Sequence, residues 1–188
     1  MSLSDKTDRA AFLNYQPILI IVRMLGLLSA PQDLPYSPSL LLRLLAVYVV
    51  TGMMVLIPGV NDLFTAVALL LLDLVLLFAF LKFCLYTRNH SERFLQTLLA
   101  CLGVGIFFQL LALPLVLVLN SGVETSQANS ALGGLFYLML VSWQITIIAH
   151  ILRHAMNMLM GLTLLLSFSY LLVAIFLSNQ ITAYLAAS

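Results

Sequence analysis

In the stretch LLLLDLVLLF, Leu69 to Phe78, one carboxylic acid, Asp73, stands among nine large apolar residues. A carboxyl group in such surroundings can relay a proton or a cation, or it can hydrogen-bond to polar groups on neighbouring helices. Ionised and alone it would be costly, so it is expected to be protonated and to face polar partners rather than lipid. Asp73 lies ~15 Å along its helix, near the middle of a ~30 Å hydrocarbon core. Counted the same way, Thr51, Gln144, Ser167 and Tyr170 fall at a similar depth on other helices. Thr163, Ser167, Tyr170, Ala174 and Ser178 form one small and polar helical stripe, and Thr97, Cys101, Gly105 and Gln109 form another. Stripes of this kind are packing surfaces: small residues let backbones approach, and polar ones hydrogen-bond across. With no second acid or base at this depth, the packing reading of Asp73 is preferred to the relay.

A second group of reactive side chains is HILRHAMNMLM, residues 150–160. His150, Arg153 and His154 share a helix face, which Trp143, Thr146 and Asn157 extend. Imidazoles four apart can chelate a metal, and Met156, Met158 and Met160 would add soft ligands suited to Cu(I). No carboxylate or cysteine completes such a site, so no metal and no cofactor is expected. The cations are better placed to favour a helix C-terminus and a negative membrane surface. His90, in TRNHSER, reads as part of a solvated turn. Cys84 and Cys101 have no C-x-x-C spacing and read as small packing residues. No G-x-S-x-G, H-E-x-x-H, P-loop or paired acids appear, so no catalytic residue is assigned and an enzyme is not expected.

The elements that carry these residues are set by composition. Of 188 residues, 63% are hydrophobic and 8% charged, with a mean hydropathy of +1.12. A soluble chain needs about a quarter of its residues charged to coat its surface. A net charge of +1 points away from nucleic acid. The expected fold is all-α: a polytopic transmembrane bundle of five spans, about 40–57, 63–83, 94–119, 132–152 and 158–177. Each approaches or exceeds the ~20 residues a spanning helix needs, and none alternates as a barrel strand would. Pro38-Ser39 opens the first span. The PGVN tetrad at 58–61, followed by Asp62, predicts a tight turn into the second. Asn120 to Ser130 reads as a polar loop. One helix from Leu132 to Leu177 would be ~69 Å long, so the chain must turn near Arg153–Asn157. Pro114 interrupts the third span near its outer end, and Gly133-Gly134 reads as a flexible start or close contact in the fourth.

Residues 11–30 hold only about a dozen apolar positions, broken by Arg23, too few to span. They predict a helix along the membrane interface, or a shallow re-entrant segment, leading into PQDLPYSP. Residues 1–39 form this N-terminal unit and 40–188 the membrane domain. A signal peptide fits poorly, so residues 1–188 are expected to be the mature protein. With a cytoplasmic N-terminus, all eight lysines and arginines fall on the cytoplasmic side and the C-terminus outside. A bacterial inner membrane is the expected location. Arg43 and Lys82 sit just inside helix ends, from which they can snorkel.

The sequences LLSAP (Leu27 to Pro31), RFLQTLLACLGVG at the third span, WQITIIAHILR (Trp143 to Arg153) and a glycine opening the fifth span occur in this order. Together they resemble the bacterial branch of the Yip1-like membrane proteins over nearly the whole chain. The resemblance implies a five-helix bundle with a cytoplasmic N-terminus. Eukaryotic members are linked to Rab GTPases and vesicle traffic, but their D-L-Y-G-P motif is absent here, so only topology is carried over. The function expected is that of a non-enzymatic membrane scaffold, assembly factor or lipid-organising protein. The alternative is a small transporter or channel using Asp73. The expected partners are the lipid bilayer, other membrane proteins or a second copy.

Overall fold

A computed structural model describes residues 16–60, 62–120 and 127–187. Lys6 and Arg9, the start of the 11–30 segment, Asn61 and the 121–126 part of the polar loop lie outside the described residues. A short helix, α1 (Gln16–Leu25), precedes five long ones: α2 (Pro38–Val60), α3 (Leu63–Thr87), α4 (Phe94–Asn120), α5 (Gln127–Met156) and α6 (Met160–Ala187). All five are long and apolar enough to cross a membrane, and no strand occurs among the described residues. The outward surface is apolar: Leu42, Val75, Phe83, Leu165 and Phe176 are all more than half exposed. Only a lipid solvent tolerates so continuous an apolar exterior.

The ends of the helices follow local chemistry. Ser37, rather than Ser39, caps α2: its Oγ accepts the Leu40 amide at 3.3 Å, and Pro38 takes the first helical position. The predicted turn at residues 58–61 is shorter than expected, because α2 runs through Pro58 and Gly59 to Val60. One missing backbone bond near a helix end costs less than several unpaired carbonyls would in an apolar medium. Asp62 then caps α3, its Oδ2 accepting the Thr65 amide at 2.7 Å and the Thr65 hydroxyl at 2.5 Å. Those bonds hold the Asp62 carboxyl below the usual carboxylate range, so the charged cap is complete near neutral pH and is lost only in acid.

Three helices end alike. Leu27, Asn89 and Asn157 adopt positive φ of 60°, 57° and 51°. The amide after each reaches back five residues: Leu28 to the Arg23 carbonyl, His90 to Leu85 and Met158 to Arg153. Asparagine tolerates this left-handed cap and leucine does not. Gly26, the residue suited to that conformation, stands one position too early. Leu27→Gly should therefore raise stability by up to about 1 kcal/mol, since the strain removed exceeds the entropy added. Thermal unfolding in mild detergent checks this; a lower midpoint would mean that the Leu27 side chain contributes more by packing than its backbone loses.

Helix α4 is the axis of the bundle. Its residues 97–105 are buried without a break, so neighbours surround it at that level. α5 runs antiparallel to it: Arg93 meets His154 and Ala155 at one end, while Phe107 and Phe108 pack edge-on to Trp143 further in. Among the described residues of the five long helices and their ends, the lysines and arginines Arg43, Lys82, Arg88, Arg93 and Arg153 all belong to this end.

The short N-terminal helix expected within residues 11–30 is present, and it packs against α4 and α5. Met24, Leu25 and Leu34 are buried. A Cβ at Gly103, ~14 Å into α4, would lie 2.5 Å from Ile21 Cδ1, so α1 packs directly on that backbone. Trp143 Nε1 donates to the Leu25 carbonyl at 3.3 Å. From there the chain returns outward. Gln96 Nε2 donates to the Leu34 carbonyl at 2.9 Å, and Gln32 Nε2 donates to the His154 carbonyl at 2.9 Å.

Candidate functional site

Asp73 points into the bundle. Tyr48 on α2 donates its hydroxyl to Asp73 Oδ2 at 2.5 Å, and Tyr170 on α6 reaches Oδ1 at 3.4 Å. One carboxyl group thus joins three helices near mid-membrane. Two phenols donating suit a carboxylate; a neutral carboxyl would instead donate to one phenol oxygen. In either state both oxygens are served. Tyr170 is further fixed by Phe80, whose ring centroid is 4.8 Å away.

The approach of Tyr48 depends on Gly105 in α4. A Cβ there would stand 2.6 Å from Tyr48 Cε2, closer than any stable contact. One turn along α2, Thr51 Oγ1 donates to Gln109 Oε1 at 2.5 Å. α2 is therefore pinned to α3 and α6 through Tyr48, and to α4 through Thr51. Two cavities flank these bonds. One, of about 310 Å³, is lined by Gly52, Leu70, Asp73, Gln109 and Ser178 among others. The other, of about 200 Å³, is lined by Tyr48, Gly105, Gln109, Tyr137 and Gln144 among others. Gln109 belongs to both.

The sequence candidates are thus brought together only in part. Tyr170 bonds Asp73, and Gln109 bonds Thr51. Gln144 faces the smaller cavity without touching the acid. Ser167 is buried on the inward stripe of α6, and its Oγ has no hydrogen-bond partner among the described residues. The stripe itself is real: Thr163 and Ser167 are buried, with Tyr170, Ala174 and Ser178 half-buried. Tyr48 was missing from the sequence candidates. Its signal was depth: from the true helix start at Pro38 it lies ~15 Å in, level with Asp73.

At the basic end, the His150 and His154 rings meet edge-on with centroids 4.5 Å apart. His150 is buried, its Nε2 3.3 Å from the Ser29 carbonyl, which accepts from the protonated ring nitrogen. Arg153 does not join them; it is exposed. The cation on the α5 terminus is Arg93, donating to the carbonyls of His154 at 3.3 Å and Ala155 at 3.4 Å. It comes from the start of α4, so only the antiparallel pairing brings it there. Arginine at unpaired terminal carbonyls satisfies them and opposes the helix dipole. Among the described residues no group of three or more His, Cys, Asp or Glu could hold a metal ion. The cluster's chemistry is that of a clasp, fixing the N-terminal segment to α4 and α5. Compared with known proteins, the chain matches no family model, no curated protein and no solved structure.

Proposed function

We propose that this integral membrane protein acts without catalysis, as a scaffold or assembly partner that organises lipid and other membrane proteins. The observation that carries this reading is the state of Asp73: the acid at mid-membrane has both oxygens engaged by tyrosines of two other helices. Such a group fixes a bundle in one arrangement. The apolar outer faces of α2, α3 and α6 supply surface for lipid and neighbouring helices. The basic end is proposed to face the cytoplasm, by the positive-inside rule. The five-span layout of the Yip1-like proteins agrees with this reading and adds no functional residue.

The cavity beside Asp73 favours a second reading, a small transporter or channel in which the acid carries a proton or cation. The two readings separate in one set of measurements. Gentle extraction followed by native mass spectrometry should report a stoichiometric partner or bound lipid for a scaffold. A lone, lipid-free monomer would sink that reading. Reconstituted vesicles should then show no proton or cation flux; a flux present in the wild type and abolished by Asp73→Asn would establish the transporter instead.

A further inference from the structure

A groove runs along the outer face of the α3–α4 pair, from the basic end to the middle of the bundle. Two adjoining cavities form it, of about 370 Å³ and 500 Å³, sharing Phe78, Lys82 and Phe94 in their walls. Tyr86 and Ser91 line the basic end, and Leu74 and Val75 the inner end. The floor is aromatic, with the Phe78 and Phe94 rings 6.0 Å apart. From Val75 to Tyr86 the groove covers ~17 Å of helix, close to half of a ~30 Å hydrocarbon core, so it is one leaflet deep.

Its single charged wall residue is Lys82, ~7.5 Å inside the end of α3. The Lys82 ammonium makes no hydrogen bond or ion pair with any described residue. An unpaired ammonium at this depth needs an anion or must reach the headgroup layer. Arg88, exposed at the end of α3, adds a second positive charge near the mouth, against one exposed acid, Glu92. The Ser91 hydroxyl and the Tyr86 phenol add hydrogen-bond donors there. A charge at one end and a narrow apolar trough one leaflet long at the other match the two parts of one molecule. A free anion would leave the trough empty, and a zwitterionic lipid would bring a cation of its own beside the Lys82 ammonium.

We propose that this groove holds one anionic phospholipid, its phosphate on Lys82 and an acyl chain along Phe78, Phe94 and Leu74. The site rests on the lipid-organising part of the proposed function and gives it a location. In this arrangement the basic end recruits anionic lipid, and the α3–α4 face presents it in a fixed position.

The test uses the full chain, delipidated in mild detergent and titrated with phosphatidylglycerol, phosphatidylcholine of the same chains, or inorganic phosphate, with binding read by native mass spectrometry. Phosphatidylglycerol should bind one per chain and at least fivefold more tightly than phosphatidylcholine, about fivefold being the share of one cation near the headgroups. Lys82→Gln should lower that preference by about that share, leaving what Arg88 contributes, and Lys82→Arg should keep it. Ala79→Trp, at an exposed position in the trough, should weaken both lipids while leaving Lys82 in place. Inorganic phosphate should neither bind nor compete. Equal preference in wild type and Lys82→Gln, undiminished binding in Ala79→Trp, or competition by phosphate would each overturn the proposal. A protein partner that still co-purifies while no lipid is discriminated would overturn the groove site alone and leave the scaffold reading standing.

Discussion

Tyr48→Phe should lower the stability of the bundle by about 1–2 kcal/mol, although it deletes one oxygen atom and creates almost no cavity. The loss comes from Asp73: with Tyr48 gone, Oδ2 is a polar atom in an apolar interior with no donor, and an unsatisfied buried group costs more than a hydrogen bond contributes. Interhelical bonds within membranes have modest average worth, because the alternative state also finds partners; that sets the upper figure. Tyr170→Phe should cost less, since its contact with Oδ1 is longer at 3.4 Å. The decisive comparison is the triple variant Tyr48→Phe, Tyr170→Phe and Asp73→Leu. Removing donors and acceptor together leaves nothing unpaired, so much of the lost stability should return. Denaturation in mild detergent measures all four proteins. If Tyr48→Phe were as stable as the wild type, the three-helix link would not contribute to the fold. Should the triple variant be the least stable of the four, a net-favourable polar cluster would be indicated instead.

Gly105→Leu should be more damaging, by about 3 kcal/mol or more. Even a methyl group at Gly105 would meet Tyr48 Cε2 at 2.6 Å, so the Tyr48 ring must be displaced before the rest of the leucine can turn into the adjoining cavity. Overpacking of this kind typically costs about 1–3 kcal/mol, and here the displaced ring is also the donor to Asp73, so the two losses combine. Gly134→Leu is the matched control, since a Cβ at Gly134 meets nothing within 4 Å. The ratio of folded to aggregated protein after extraction, with the unfolding midpoint of whatever folds, distinguishes the two. Equal behaviour of both variants would show that α2 and α4 can separate at Gly105 without consequence.

Much of this was legible in the chain. Runs such as LLLLDLVLLF can satisfy their backbone in lipid only as helices, so the five spans followed from length and apolarity alone. The stripe through Thr163, Ser167 and Tyr170 faces inward as its spacing required, because a helix repeats its faces every 3.6 residues. Helix ends were less legible. Pro58-Gly59 reads as a turn by local preference, yet α2 continues through it, because an apolar surround penalises free carbonyls more than a proline penalises the helix. The docking of α1 depended on contacts with Gly103 and Trp143, residues more than 80 and 115 positions away.

Read residue by residue, the chain is a helical membrane protein with one acid at mid-depth of its second span. Those are properties of single helices in an apolar solvent, and each can be computed from one segment at a time. Helix packing settled which polar groups meet: that Tyr48 rather than Gln144 or Ser167 bonds Asp73, that Arg93 rather than Arg153 closes α5, and that Lys82 overlooks an apolar trough. Depth along a helix follows from counting residues. Which helix stands beside which, and at what rotation, depends on the packing of all six at once, and no single segment carries that information.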